Sequence, residues 1–259
     1  MQSAIPEEDL QDTLVYMGGR RCGASSGNLA TTFNDVWALA EDLQWRPLGA
    51  HDCTAVQGGQ RNTGCAPWST RHGFAAAVAE DVGSPTGQML YVMGGVRHGL
   101  LGNDIFLNDV WRSCDGATWQ MVTNAARWSA RGYSVLQVLG NVEQNALFLF
   151  GGKDTTGTSC SDSNHPNGEL CRSDVWASKD HGLTWTQIES DSSSPWIGRT
   201  SCSVVPVRVN MGSEGLEQGS PLYGICSNYS TGAYLYGVHS NLDNQVHSNP
   251  KAHHIKPEK

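Results

Sequence analysis

The stretch NDVWRSCDGATWQMV, from Asn108 to Val122, comes back in outline twice more in the chain: NDVWALAEDLQWRPL begins at Asn34 and SDVWASKDHGLTWTQI at Ser173. In each, a Trp follows Asp-Val and a second Trp stands eight or nine residues on, giving the pairs Trp37 and Trp45, Trp111 and Trp119, Trp176 and Trp185. Self-similarity of this kind outranks any local secondary-structure reading, because it marks one supersecondary unit repeated. Aligning the three Trp pairs brings further signals into register. Ahead of each Asp-Val-Trp lies an apolar run stopped by two glycines: LVYMGG with Gly18 and Gly19, LYVMGG with Gly94 and Gly95, LFLFGG with Gly151 and Gly152. Such a run predicts a buried strand with a turn after it.

After the second Trp comes Trp-x-x-Arg, as Trp68 to Arg71, Trp128 to Arg131 and Trp196 to Arg199, and each Arg opens another strand-like segment. The unit is therefore four strands: Arg-led, Gly-Gly-ended, Asp-Val-Trp and second-Trp. All nine tryptophans are absorbed by the pattern, three to a unit, which favours packing between successive sheets over a ligand-stacking role. The regular recurrence of Arg71, Arg131 and Arg199 at strand starts suits a structural residue bonding loop carbonyls or a neighbouring Asp.

These features resemble kelch repeats. The resemblance covers about residues 14 to 209 and implies an all-β, kelch-type β-propeller built from radially packed, four-stranded antiparallel blades. It departs from the common kelch pattern in having Trp where Tyr is more usual. A second resemblance lies in SKDHGLTW, Ser178 to Trp185, which is similar to the Asp-box turn of sialidase-like propellers; SCDGATW, from Ser113, is one residue short of it. Asp180 and Asp115 are read as turn residues, since Asp side chains bond nearby backbone N–H groups while Gly accepts the left-handed conformation.

Counting units gives an incomplete arc. A polar lead (1–13) precedes the arc (14–236), with a partial first blade (14–50), a second (71–123), a third (131–189) and the opening hairpin of a fourth (199–236). Residues 237–259 have no apolar period and read as a disordered tail. Propellers close with four to eight blades, so a fragment of a larger ring is expected. Antiparallel strand order puts the Gly-Gly loops and the inter-unit loops on one face: Arg20 to Phe33, Gly49 to Thr70, Val96 to Leu107 and Lys153 to Arg172. Long loops on a rigid scaffold are where binding resides.

Only 16% of the residues are charged, and the 30 glycines suit many tight turns. The net charge of −8 gives no basic footprint for nucleic acid, and no apolar run is long enough to span a bilayer. Eight cysteines stand without any C-x-x-C spacing. Local bridges are expected for Cys53 with Cys65 and Cys160 with Cys171, each closing a loop of about 12 residues and contributing up to ~3 kcal/mol in the chain-entropy model, and for Cys202 with Cys226 across a hairpin. Cys22 and Cys114 are left over. Such bridges favour an extracellular or cell-surface setting, although no secretory signal opens the chain. Asn228-Tyr-Ser230 is a sequon that matters only in that setting.

No catalytic, cofactor-binding or metal-ligating set emerges. His51, His72, His98, His165 and His181 are scattered over loops and turns, which favours solvated side chains. The reading is a non-catalytic interaction module, recognising a protein or a glycan through the loop-rich face. Two alternatives stay open: a secreted carbohydrate-active propeller enzyme whose catalytic residues lie outside these residues, and an intracellular kelch adaptor, which would need reduced cysteines.

Overall fold

In a computed structural model the chain is all-β, and no helix occurs among the described residues: 13–21, 31–48, 65–98, 103–140, 145–155, 158–159, 170–196, 198–206, 222–228 and 232–238. Four antiparallel sheets follow one another along the sequence. The first holds β1 (Val15–Arg21), β2 (Thr31–Leu39) and β3 (Trp45–Pro47) in that order; the second holds β4 (Ala75–Glu80), β5 (Gln88–His98), β6 (Asp104–Ser113) and β7 (Gln120–Thr123). The third runs β8 (Val135–Gly140), β9 (Asn145–Asp154), β11 (Leu170–Ser178) and β12 (Thr186–Glu189), with a short β10 (Thr158–Ser159) also paired to β11. The fourth holds β13 (Ser203–Pro206), β14 (Leu222–Asn228) and β15 (Gly232–Val238). The order within each sheet is that of propeller blades, and the whole is an incomplete propeller arc. The fourth unit is more than its opening hairpin, since β15 adds a third strand.

Three apolar layers hold neighbouring sheets face to face. Between the first and second blades Val36, Trp68, Val92 and Trp119 are buried together; between the second and third, Tyr91, Met93, Val110, Trp128, Leu149 and Trp185; between the third and fourth, Phe148, Val175 and Val204. Alternation along a strand explains the arrangement: Val92 faces the blade before and Tyr91 and Met93 the blade after, as a period of two demands. Trp68 meets Trp119 edge-on at 5.9 Å and Trp128 meets Trp185 edge-on at 6.1 Å. The tryptophans of Trp-x-x-Arg are therefore interior wedges between blades. Trp45 differs from its counterparts Trp119 and Trp185: it is 47% exposed, because no described sheet lies on that side of the first blade.

The Gly-Gly pairs do not end their strands. β1 and β5 run through them, and the pairing register with β2 and β6 shifts between Met17 and Gly19 and between Met93 and Gly95. Each pair is a bulge with both glycines at positive φ. The bulge turns the N–H groups of Gly19, Gly95 and Gly152 onto the carbonyls of Arg71, Arg131 and Arg199 of the next unit. The segment from Lys153 to Arg172 is likewise shorter as a loop than the sequence suggests, since Asp154 pairs with Leu170 and Lys153 with Cys171.

Candidate functional site

Arg71 and Arg131, which repeat once per unit, are buried in two matching cages. Arg71 donates to both carboxylate oxygens of Asp109 at 2.7 Å, to the Gly94 carbonyl at 2.9 Å and to the Ser69 carbonyl at 3.1 Å. Arg131 does the same with Asp174 (2.6 and 2.8 Å), the Gly151 carbonyl and the Ser129 carbonyl. The same carboxylates also accept the indole N–H of Trp111 and Trp176, two residues on. Asn34 and Asn108, one residue earlier, donate their side-chain amides to the carbonyls of Ala66 and Trp68 and of Ala126 and Trp128 in the following connector. The tetrapeptide Asn-Asp-Val-Trp is thus a two-sided clasp: Asp holds the Arg of its own blade and Asn the chain entering the next. Arg199 makes the matching backbone contacts, its N–H donating to Arg172 and its carbonyl accepting from Gly152. The guanidinium groups of Arg71 and Arg131 are held inside separate blades and do not converge on a common ligand.

Immediately after these arginines, at the loop-rich rim, the structure gathers a different set. The His72 backbone exchanges two hydrogen bonds with Val96, which draws its ring in beside the tip of the β5–β6 hairpin. There it stacks on His98 with centroids 5.4 Å apart and meets Tyr133 edge-on at 5.8 Å. Lys153 Nζ lies 4.9 Å from the Tyr133 ring centroid, and His98 Nδ1 lies 3.0 Å from Asp104 Oδ1. His72 is buried rather than solvated, against the sequence expectation, because the inter-unit connector folds back onto the neighbouring hairpin. Neither nitrogen of His72, nor Nε2 of His98, has a hydrogen-bond partner. Burial first, then the nearby positive charge of Arg20 and the neighbouring His98, holds the His72 pKa below its usual value; Asp104 and the Val96 contact oppose this weakly. The ring is neutral at pH 7.

Tyr133 carries a second mark of the site. The residue two beyond each repeat Arg is left-handed, as Gly73 at φ +58, Tyr133 at +58 and Ser201 at +53. A bulky side chain in that region costs on the order of 1–3 kcal/mol, and such strain clusters at functional positions. The position is fixed by a backbone chain across three blades, in which the Tyr133 N–H donates to Gly73 and the Ser201 N–H to Tyr133. A partly exposed aromatic ring flanked by imidazoles, a lysine and an aspartate can stack on a planar or sugar face and bond its polar edge. No spacing in the sequence announces this cluster; its members come from four separate segments, the connectors before β4 and β8, the β5–β6 hairpin and β9.

On the opposite face Tyr91 Oη lies 3.1 Å from His181 Nδ1, and Asp81 lies 3.8 Å beyond. Burial pushes the Tyr91 phenol up to about 12, so it is a hydrogen-bonding group and not a nucleophile. The turns that resemble Asp-boxes behave as turns: Asp115 accepts the N–H groups of Ala117 and Thr118, and Asp180 accepts that of Thr184. Burial acts to raise both carboxyls, and these hydrogen bonds outweigh it and hold them below the usual range. Among the described residues no cluster of three or more His, Cys, Asp or Glu is arranged to hold a metal ion, and no helix is long and apolar enough to cross a membrane. Cys114 is the free cysteine among the described residues. Cys65, Cys171 and Cys202 each have a bonding partner, and no two of the described cysteines are bridged to one another. The partners expected for them, Cys53, Cys160 and Cys226, lie outside the described side chains, as do Cys22, His51, His165 and most of the long loops.

No family model matches the chain, and no curated protein matches it. Solved structures do. YjhT aligns over 86% of this chain and 60% of its own, with 15% identity and a TM-score of 0.47. RAG, solved by cryo-EM in complex with one melted and one unmelted RSS, aligns over 86% of this chain and 67% of its own, with 11% identity and a TM-score of 0.43. The chain spans about 60% of the length of YjhT.

Proposed function

We propose that this chain is a kelch-type interaction module that recognises a protein or a glycan through its loop-rich face, outside the reducing cytosol. The observation that carries the reading is the rim cluster of His72, His98, Tyr133, Lys153 and Asp104. It combines a strained aromatic, unpartnered imidazole nitrogens and both signs of charge on the face where the long loops emerge. The buried arginines do not compete for this role, because Asp109 and Asp174 already engage them. The extracellular placement rests on the cysteines. Ser203 stands opposite Ile225, so Cys202 and Cys226 each adjoin that pair, which supports the proposed cross-strand bridge between them. The pairs Cys53 with Cys65 and Cys160 with Cys171 complete the proposed set.

The test is a screen of the immobilised chain against glycan and extracellular-protein panels, repeated with Tyr133→Gly. Glycine relieves the positive-φ strain and removes the ring, so binding should fall by roughly tenfold or more while the melting temperature holds or rises. A variant that binds as well as the parent would overturn the rim as the recognition site. Mass mapping of bridges in protein from its native source checks the placement, and eight free thiols would overturn it.

A further inference from the structure

Each Gly-Gly bulge is followed at once by a basic residue: Gly18-Gly19-Arg20-Arg21, Gly94-Gly95-Val96-Arg97 and Gly151-Gly152-Lys153. The chain as a whole is acidic, with 17 Lys and Arg against 25 Asp and Glu, so composition does not account for cations gathered at one rim. Strand pairing decides which way they face. Arg20 stands opposite Thr32, whose hydroxyl donates to Thr70 in the connector to the next blade, so both lie on the face turned to that connector. There the charge of Arg20 acts on the His72 ring. Val96 packs over Gly132 of the third blade, and alternation along β5 therefore turns Arg97 the other way, toward the first. The connector is bridged to both neighbours, Arg71 to Phe33 and His72 to Val96, so Arg20 and Arg97 flank it. Lys153 extends the basic rim to the third blade, over the Tyr133 ring. The carboxylates at this rim are engaged: Asp104 lies 3.0 Å from His98, and Asp154 accepts from Arg172. Among the described residues no carboxylate pairs with Arg20, Arg21 or Arg97.

We infer that the ligand of this rim is an acidic glycan, a sugar chain whose carboxylate or sulfate groups are held by Arg20, Arg97 and Lys153 while one ring stacks on Tyr133. The inference rests on the rim being the recognition site and adds the chemical class of what it recognises. A guanidinium offers a planar fork that matches a carboxylate or sulfate, and cations on three successive blades suit a chain with repeated negative groups better than a single small anion. The half-buried Tyr133 ring supplies the aromatic face on which a pyranose packs. A protein partner would need an apolar anchor point, since interface hot spots are buried aromatic and aliphatic contacts. The exposed large apolar side chains among the described residues lie elsewhere: Leu14, Tyr16 and Trp45 on the first blade, Val78 on β4, Met121 on β7, and Leu43, Val82 and Leu183 in turns of the opposite face. The local field also has a kinetic use, because a basic rim on an acidic molecule orients an approaching polyanion toward this face and away from the rest of the surface.

The experiment titrates the full 259-residue chain with four probes of matched length: an oligogalacturonate, a sulfated oligosaccharide, a neutral galactose oligomer and an oligoglutamate peptide. At least one acidic sugar is expected to bind roughly tenfold or more tighter than the neutral sugar and the peptide, and the preference between the two acidic sugars identifies carboxylate or sulfate as the group held. Arg20→Gln and Arg97→Gln should each weaken that binding by roughly tenfold, as loss of a charge-assisted contact predicts. Unchanged melting profiles show that both variants fold. Arg46→Gln, which removes the same charge from an exposed position on β3, should leave the affinity as it was. An equal loss in Arg46→Gln would reduce the effect to net charge and overturn the inference. Failure of both acidic sugars to bind, equal affinity for the neutral sugar, or tighter binding of oligoglutamate also overturns it. The broader reading is separable: a protein or neutral glycan whose binding is lost in Tyr133→Gly but kept in Arg20→Gln and Arg97→Gln would preserve the rim as the recognition site and remove the acidic ligand.

Discussion

At the scale of the residue the decisive pair is an arginine and an aspartate. Arg131 and Asp174 have side chains that are 2% and 4% exposed, and they are joined by two parallel hydrogen bonds. Removing one partner of a buried pair strands the other, at a cost of about 3–5 kcal/mol, while replacing both by apolar groups is far milder. Asp174→Asn should therefore lower the melting temperature sharply, and the double variant Arg131→Met with Asp174→Leu should recover part of the loss. A double variant no better than the single would mean that the pair's role is the hydrogen bonding of Arg131 to the Gly151 and Ser129 carbonyls. The arginines and their spacing were legible in the sequence. The identity of their partners was not, because Arg131 and Asp174 stand 43 residues apart and only the folded sheet brings them together.

At the scale of the element the Gly-Gly bulge is what makes a blade a joinable unit. The glycine run was legible as punctuation, but the sequence reading took it for a strand end. The strand continues because the second glycine hands its N–H to the next blade's arginine carbonyl without breaking the ladder. Gly94 sits at φ +58, and a Cβ there would lie 2.8 Å from the Arg131 carbonyl oxygen; at Gly151, φ +50, it would lie 2.9 Å from that of Arg199. Backbone atoms cannot step aside as a side-chain tip can. Gly94→Val and Gly151→Val should each destabilise by about 2 kcal/mol or more, through both the strained φ and the clash. Thermal unfolding of the two variants measures this, and unchanged midpoints in both would contradict the bulge as the joint between blades.

At the scale of the whole molecule, stability should depend on the protonation of the rim. His72 is held neutral by burial, helped by Arg20 and His98, so its folded pKa lies below the ordinary histidine value near 6.5. The unfolded chain takes up that proton first as pH falls. Stability from this source is complete above the unfolded value, declines as pH drops toward the folded value, and levels off below it. A melting series from pH 7.5 to 5.5 should show the decline, and His72→Phe should flatten it. A variant with the slope of the parent would assign the acid sensitivity to groups other than His72.

What the sequence by itself determined was the repeat: three Trp pairs, three Trp-x-x-Arg wedges and their Gly-Gly partners, from which the four-stranded unit and an incomplete arc follow. These signals are local, and periodic burial writes itself into every copy of the unit. The tertiary structure decided which copies are complete. Asp35, Asp109 and Asp174 occupy the same repeat position, yet two hold an arginine and one is left with a buried, unpartnered oxygen. The rim cluster was equally a matter of assembly, since His72, His98 and Tyr133 belong to a connector, a hairpin tip and the start of the next blade. A residue's neighbours across a blade boundary depend on how successive sheets stack, and that stacking is a property of the folded chain alone.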